Sequence, residues 1–187
     1  EYLPGPDLGT VLRQEGLLPH ADVARYGAQA AAGLAYLHGC ATPVVHRDLK
    51  PQHLVLDHAA TVKICDFGGV ALPTADLTRI TRFGTAVGTG WYMSPEQCRG
   101  EPVEPASDVY SLGAVLYALL AGGPPFSDAR GFAELSRRIV TEPPEPLAER
   151  RPDAPPALTE LVHAMLAKDA MDPADAAAVH GVLAALA

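Results

Sequence analysis

The stretch that most constrains this chain is His46-Arg47-Asp48-Leu49-Lys50-Pro51-Gln52-His53-Leu54-Val55-Leu56, with Val62-Lys63-Ile64-Cys65-Asp66-Phe67-Gly68 a short turn further on. Leu54-Val55-Leu56 and Val62-Lys63-Ile64-Cys65 are β-prone runs, so the segment reads as a polar loop, two short strands and a second loop ending in a Phe-Gly turn. An acid set between an Arg and a Lys, with a second acid before that turn, is a layout suited to phosphoryl transfer. That chemistry needs a carboxylate to orient a hydroxyl, a cation beside the transferred phosphate, and a carboxylate to hold a metal ion.

Around this segment the chain alternates helices and breaks. Asp7 can cap a short helix over Leu8 to Glu15, after Glu1-Tyr2-Leu3, which is strand-like until Pro4-Gly5-Pro6 interrupts it. His20 to His38 carries Val23, Tyr26, Gly27, Ala30, Leu34 and Leu37 on one stripe and closes at Gly39. Val44-Val45 reads as a short buried strand. A helix opening at Ser107 stays apolar on all sides to Ala121, the pattern of a buried helix, with Ser107 its natural N-cap. Helices are expected over Phe132 to Thr141, Leu158 to Leu166 and Val179 to Leu186, with a Pro-rich connection from Glu142 to Pro156.

Composition narrows the classes that remain. With 187 residues, 48% hydrophobic and 19% charged, one domain with a sizeable core is expected. A formal charge of −8 argues against a nucleic-acid groove. Cys40, Cys65 and Cys98 are odd in number and widely spaced, with no C-x-x-C pair, which argues against structural zinc and a disulfide framework and fits a reducing compartment. The longest apolar run, Leu112 to Ala121, is too short for a membrane segment, and no signal peptide is visible. The chain starts at Glu1 without Met and reads as a portion of something longer.

The central segment resembles the catalytic loop and metal-binding loop of eukaryotic-type (Hanks-type) serine/threonine protein kinases, H-R-D-L-x-x-x-N and D-F-G, with His53 where that family has Asn. Gly88-Thr89-Gly90-Trp91-Tyr92-Met93-Ser94-Pro95-Glu96-Gln97 resembles the family's G-T-x-x-Y-M-[AS]-P-E-Q run, and the style of the chain looks bacterial. The resemblance implies a mainly α fold, the hinge and C-terminal lobe of a kinase catalytic domain over 1–187, with short β-strands around the two loops. No Gly-rich loop, no V-A-I-K-like strand and no helix Glu to pair its Lys appears, so the N-lobe is expected to lie outside this chain. Cytoplasmic ATP- and Mg²⁺-dependent phosphorylation of Ser or Thr hydroxyls on protein substrates is the implied activity.

The resemblance also implies roles. Asp48 is the base, Lys50 contacts the phosphate, and Thr89 supports the acceptor; the Asp-x-Lys spacing is that of the serine/threonine branch. Glu1 and Leu3 fall in the hinge that holds adenine, Leu54 and Leu56 below it, and Asp7 near the ribose, although a plain helix cap explains Asp7 equally. Asp66 is the metal ligand. His53 either weakens a second metal site that the family's Asn oxygen would serve, or only hydrogen-bonds the loop. A zinc site from His46, His53 and Cys65 is the lesser alternative. Thr85, with Thr81 next, falls where an activating phosphate could pair with Arg47, unless these are unmodified surface threonines. His46 is expected packed beneath Phe67, Asp108 as an acceptor for the catalytic-loop backbone, and Glu96 as the acid whose usual Arg partner is missing. The run from Lys168 to Pro173 departs from the family's K-D-P-x-x-R-P and no Arg follows Arg151, which leaves Arg150 or Arg151 as substitutes. Two other readings share the fold: a pseudokinase scaffold that binds protein partners without catalysis, favoured by His53 and the lost Arg, and a small-molecule phosphotransferase, disfavoured by the Gly-Thr…Pro-Glu segment.

Overall fold

The computed structural model describes residues 2–67, 90–168 and 175–187. Glu1, Thr81, Thr85 and Thr89, and with them the hinge adenine contact at Glu1, the phosphosites and the acceptor-side threonine, lie outside the described residues.

Helices α1 (Leu8–Glu15) and α2 (His20–His38) come first, then the hairpin β1 (Leu54–Leu56) and β2 (Val62–Ile64), then α3 (Pro95–Arg99), α4 (Pro105–Ala121), α5 (Phe132–Thr141), α6 (Leu147–Arg150), α7 (Pro156–Met165) and α8 (Ala176–Leu186). The mainly helical architecture matches the expectation, and its centre is α4. Every residue from Ser107 to Leu120 is buried, because a helix apolar on all sides has no face to give to water. Fully burying each of its leucines contributes on the order of 1.5–3 kcal/mol. Helix α2 crosses α4 where Gly27 leaves room: a Cβ there would sit 2.8 Å from Leu116 Cδ2 and 3.0 Å from Leu183 Cδ1 of α8. Gly113 does the same for α7, since a Cβ would meet Met165 Cβ at 2.8 Å. No helix among the described residues is long and apolar enough to cross a membrane.

Several boundaries differ from expectation for identifiable reasons. The helix expected to open at Ser107 begins at Pro105, whose fixed φ suits the first helical position, with Glu104 as N-cap. Ser107 instead stands at the third position and accepts from Glu104 N at 3.3 Å. Likewise α7 starts at Pro156 rather than Leu158, and α8 at Ala176 behind the Asp175 cap. The Pro-rich connection holds a one-turn helix, α6, anchored by the fully buried Leu147. Val44-Val45 forms no strand: Val44 N donates to Leu37 O at 3.0 Å, which spends its backbone on the end of α2. Tyr2 and Leu3 are likewise not a strand, and the segment meets the hairpin through the Leu56 N to Pro6 O bond at 3.0 Å, the close approach of Gly5 to Leu56 O and an isolated bridge between Asp7 and Val55.

The hairpin determines where the site forms. β1 and β2 pair antiparallel with Leu54 opposite Ile64 and Leu56 opposite Val62. Asp57 closes the turn, its Oδ1 accepting from Ala59 N at 2.8 Å and Thr61 N at 2.9 Å. Gln29 of α2 accepts Val62 N at 2.8 Å and fixes the hairpin to the helices. This register places His53, just before β1, against the residues just after β2. Cys65 N donates to His53 O at 2.9 Å, and Asp66 follows directly.

Candidate active site

The loop between α2 and β1 is held from below by Asp108. Asp108 is fully buried, and its carboxylate accepts His46 N at 2.8 Å and Arg47 N at 2.9 Å. His38, at the end of α2, donates its Nε2–H to the same carboxylate at 2.9 Å. A buried carboxylate is stable only when its oxygens are satisfied in this way. Two consecutive backbone N–H groups aimed at one acid force the chain to turn sharply, and Arg47 takes up the turn at φ 68.

His46 is also fully buried and has both ring nitrogens engaged. Nε2–H donates to Cys65 O at 2.9 Å, and Nδ1 accepts from Asp48 N at 3.3 Å. Its ring lies 5.1 Å from that of Phe67, so the expected packing beneath Phe67 is present. The zinc alternative fails here, because His46 has no lone pair left for a metal. No group of three or more His, Cys, Asp or Glu able to hold an ion exists among the described residues.

Above this floor four side chains meet. Lys50 Nζ lies 3.1 Å from Asp48 Oδ2, so the cation steadies the expected base. His53 donates Nδ1–H to the Asp48 carbonyl at 2.7 Å, and its Nε2 lies 3.2 Å from Asp66 Oδ2. The His53 side chain is only 8% exposed, while that of Asp66 is 63% exposed, so the pair forms a wall with one open side. Burial, followed by the nearby Lys50, lowers the His53 pKa below its ordinary value against the opposing pull of Asp48 and Asp66. Asp66 itself sits at φ 61, a left-handed conformation that costs a non-glycine residue on the order of 1 kcal/mol or more. Such a residue in such a place is a mark of a functional turn rather than of folding economy.

Other expected site residues fall elsewhere. Leu54 and Leu56, expected below the adenine, are turned into the core at 1% and 7% exposure, because a strand of this length places both on one face. Val55, between them, is on the opposite, half-exposed face. Leu3 is half-buried. Asp7 is the N-cap of α1, with its two carboxylate oxygens accepting from Thr10 N at 2.9 Å and Thr10 Oγ1 at 2.7 Å. Neither Arg150 nor Arg151 substitutes for the missing arginine. Arg150 pairs with Glu145, and buried Arg151 donates to Leu18 O, Leu120 O and Asp153. Glu96 is half-buried and accepts from the Ser107 hydroxyl, and no Lys or Arg among the described residues forms an ion pair with it.

Two contributors were not anticipated. Gln97 donates Nε2–H to Arg47 O at 2.6 Å and so ties α3 to the catalytic loop. The signal was available in Ser94-Pro95-Glu96-Gln97, a capping-box spacing that fixes the Gln97 side chain at the helix start. Lys168 folds back so that Nζ reaches Tyr110 OH at 3.2 Å and lies 5.2 Å from the Tyr110 and Phe126 rings, and burial pushes its pKa down to about 8.

The family described as the protein kinase domain matches residues 1–179. The serine/threonine-protein kinase pkn3 of Myxococcus xanthus is 37% identical over 195 aligned residues, covering 100% of this chain and 35% of its own length. The probable serine/threonine-protein kinase PkwA of Thermomonospora curvata is 42% identical, covering 87% of this chain and 20% of its own. For the serine/threonine-protein kinase PknA of Mycobacterium tuberculosis the figures are 36%, 90% and 37%. The chain thus spans little more than a third, at most, of these curated relatives. The loop held on Asp108, the acids at Asp48 and Asp66 and the family match agree: the chain belongs to the protein kinase domain family.

Proposed function

We propose that the protein transfers the γ-phosphoryl group of ATP, with Mg²⁺, to Ser or Thr hydroxyls of protein substrates, and that residues 1–187 supply the hinge and C-terminal lobe for that reaction. The observation that carries this is the convergence of Asp48, Lys50, His53 and Asp66 at one end of the hairpin. Asp48 accepts the proton of the acceptor hydroxyl. Its Oδ2 is steadied by Lys50, whose ammonium also supplies positive charge to the transferred phosphate. Asp66, exposed and held at the end of the hairpin, is the metal-binding carboxylate, with His53 beside it. Mg²⁺ when bound neutralises charge on the phosphate oxygens.

The acids suit this ion: a hard cation takes carboxylate oxygen, and the exposed face of Asp66 leaves room for the phosphates and waters that complete its shell. Val55, on the half-exposed face of β1, is the apolar floor for adenine in place of Leu54 and Leu56. Glu1 and Leu3 are the hinge contacts, and Asp7 meets the ribose only by giving up part of its cap. Thr89 supports the acceptor, and a phosphate on Thr85 or Thr81 meets Arg47. Three cysteines, all as free thiols, accord with a cytoplasmic setting.

The test is transfer of label from γ-labelled ATP to a generic Ser/Thr protein by the full-length natural protein and by Asp48→Asn. The proposal expects transfer by the natural protein and a loss of about 10²–10⁴-fold in the variant. No transfer by either, with protein partners still bound by both, establishes the scaffold reading instead.

A further inference from the structure

The connection between α5 and α7 is held down by side chains, because Pro143, Pro144 and Pro146 bring no N–H groups of their own. Tyr117 OH of α4 donates to Glu145 O at 3.1 Å. Arg151 donates to Leu18 O at 3.1 Å and to Leu120 O at 3.0 Å. The third fastening is His163 of α7, whose Nε2 accepts from Leu147 N at 2.9 Å. That N–H opens α6, where Pro146 offers no side-chain cap, so a ring from another helix does the capping. Leu147 is also the fully buried residue that anchors the connection.

The capping bond needs a lone pair on Nε2. A protonated imidazole carries hydrogen on both nitrogens, so the charged ring would set N–H against N–H and leave Leu147 N without its acceptor. The groups around the ring do not favour that charge. From α4, Tyr117 meets it edge-on with centroids 6.3 Å apart, and burial holds the phenol above its ordinary pKa and so neutral. From α6 and its approach come Glu145, Glu149 and Arg150, of which Glu145 and Arg150 pair with each other at 3.2 Å. Its own helix brings Glu160, which is exposed to water. Burial lowers the His163 pKa below its ordinary value. Of the three fastenings, only the histidine changes charge between about pH 5 and pH 8.

We propose that His163 is an acid-released latch on the connection between α5 and α7: the neutral ring caps α6 and keeps Leu147 in the core, and protonation lets α6 open while α4 stays folded. The closed form is the weaker base, so the latch is at full strength above the ordinary value of 6.5. As pH falls below it, the open form takes up the proton first and the closed form loses ground.

Hydrogen–deuterium exchange of the full-length natural protein, corrected for intrinsic rates, tests this at about pH 7.5 and about pH 5.5, on either side of the ordinary histidine value. The expected result is a loss of protection around Leu147 of several-fold, up to about tenfold one unit below that value, with α4 unchanged. His163→Gln, whose amide oxygen can accept the same N–H and does not titrate, should abolish the dependence. Exchange at the C2–H of the His163 ring gives its titration in the natural protein without any variant, and the midpoint should lie below 6.5. That measurement decides where the Gln variant does not fold. Equal protection at the two pH values, a loss shared by α4, the same dependence in His163→Gln, or a ring midpoint at or above 6.5 overturns the inference.

Discussion

Asp108 and Asp66 are acids at opposite sides of one loop, and they live in opposite environments. Asp108 is fully buried and accepts two backbone N–H groups and a histidine N–H. Asp66 is mostly exposed, sits in a left-handed conformation, and faces the Nε2 of His53. The floor is built as a folding element, with its polar groups satisfied inside the chain. The rim brings Asp48, Lys50, His53 and Asp66 together beside solvent. The two histidines repeat the contrast: His46 spends both nitrogens on the backbone, and His53, with ring centroid 5.6 Å away, spends one. Changes at the floor should therefore reach activity through stability, and changes at the rim should reach activity alone.

The floor should show the largest cost in stability. Asp108→Ala removes a charged acceptor from two buried N–H groups and should lower unfolding free energy by about 3–5 kcal/mol. Asp108→Asn, which keeps one oxygen, should cost roughly half as much, read by urea unfolding. Equal stability of the three proteins would erase the distinction between floor and rim. Next, Gly113→Ala pushes a methyl against Met165 Cβ and should cost about 1–3 kcal/mol. That figure marks how rigid the core around α4 is, and a neutral result would show that α7 can retreat.

Gln97→Ala sharpens the comparison from the side. Losing the bond to Arg47 O should cost about 1 kcal/mol in unfolding and lower phosphotransfer as well, since Gln97 positions the loop without touching the reacting groups. Lys168 gives the smallest effect. Burial holds its pKa near 8 against an ordinary 10.5, so the fold disfavours its charge. Below about pH 8 that penalty is complete; as pH rises from about 8 to 10.5 the unfolded chain holds the extra proton and stability climbs. Lys168→Met should flatten this climb. It should raise stability at neutral pH by on the order of 1 kcal/mol, reduced because the amine is partly solvated and loses its contacts with Tyr110 and Phe126.

Much of this was legible in the residues. The all-apolar run of α4 and the stripe of α2 follow from periodicity, and Asp48, Lys50 and Asp66 stand out through the resemblance of their segment to the kinase motifs. The helices start at Pro105 and Pro156, ahead of their apolar pattern, because proline's fixed φ suits the first helical turn. Leu54 and Leu56 face the core rather than a cleft, because strand alternation turns them inward and Val55 outward, a pattern that three residues between polar loops barely display. Contacts such as Gln97 to Arg47 and Arg151 to Leu18 and Leu120 are long-range and depend on packing, so spacing alone could not give them.

The most direct measurement is phosphotransfer by Asp66→Asn in the full-length natural protein, with its urea unfolding recorded on the same preparation. The account predicts a loss of transfer of about 10²–10³-fold, with unfolding free energy unchanged within about 0.5 kcal/mol. A variant that still transfers phosphate, or one that loses stability as Asp108→Asn does, would contradict the division between a rim that acts and a floor that holds.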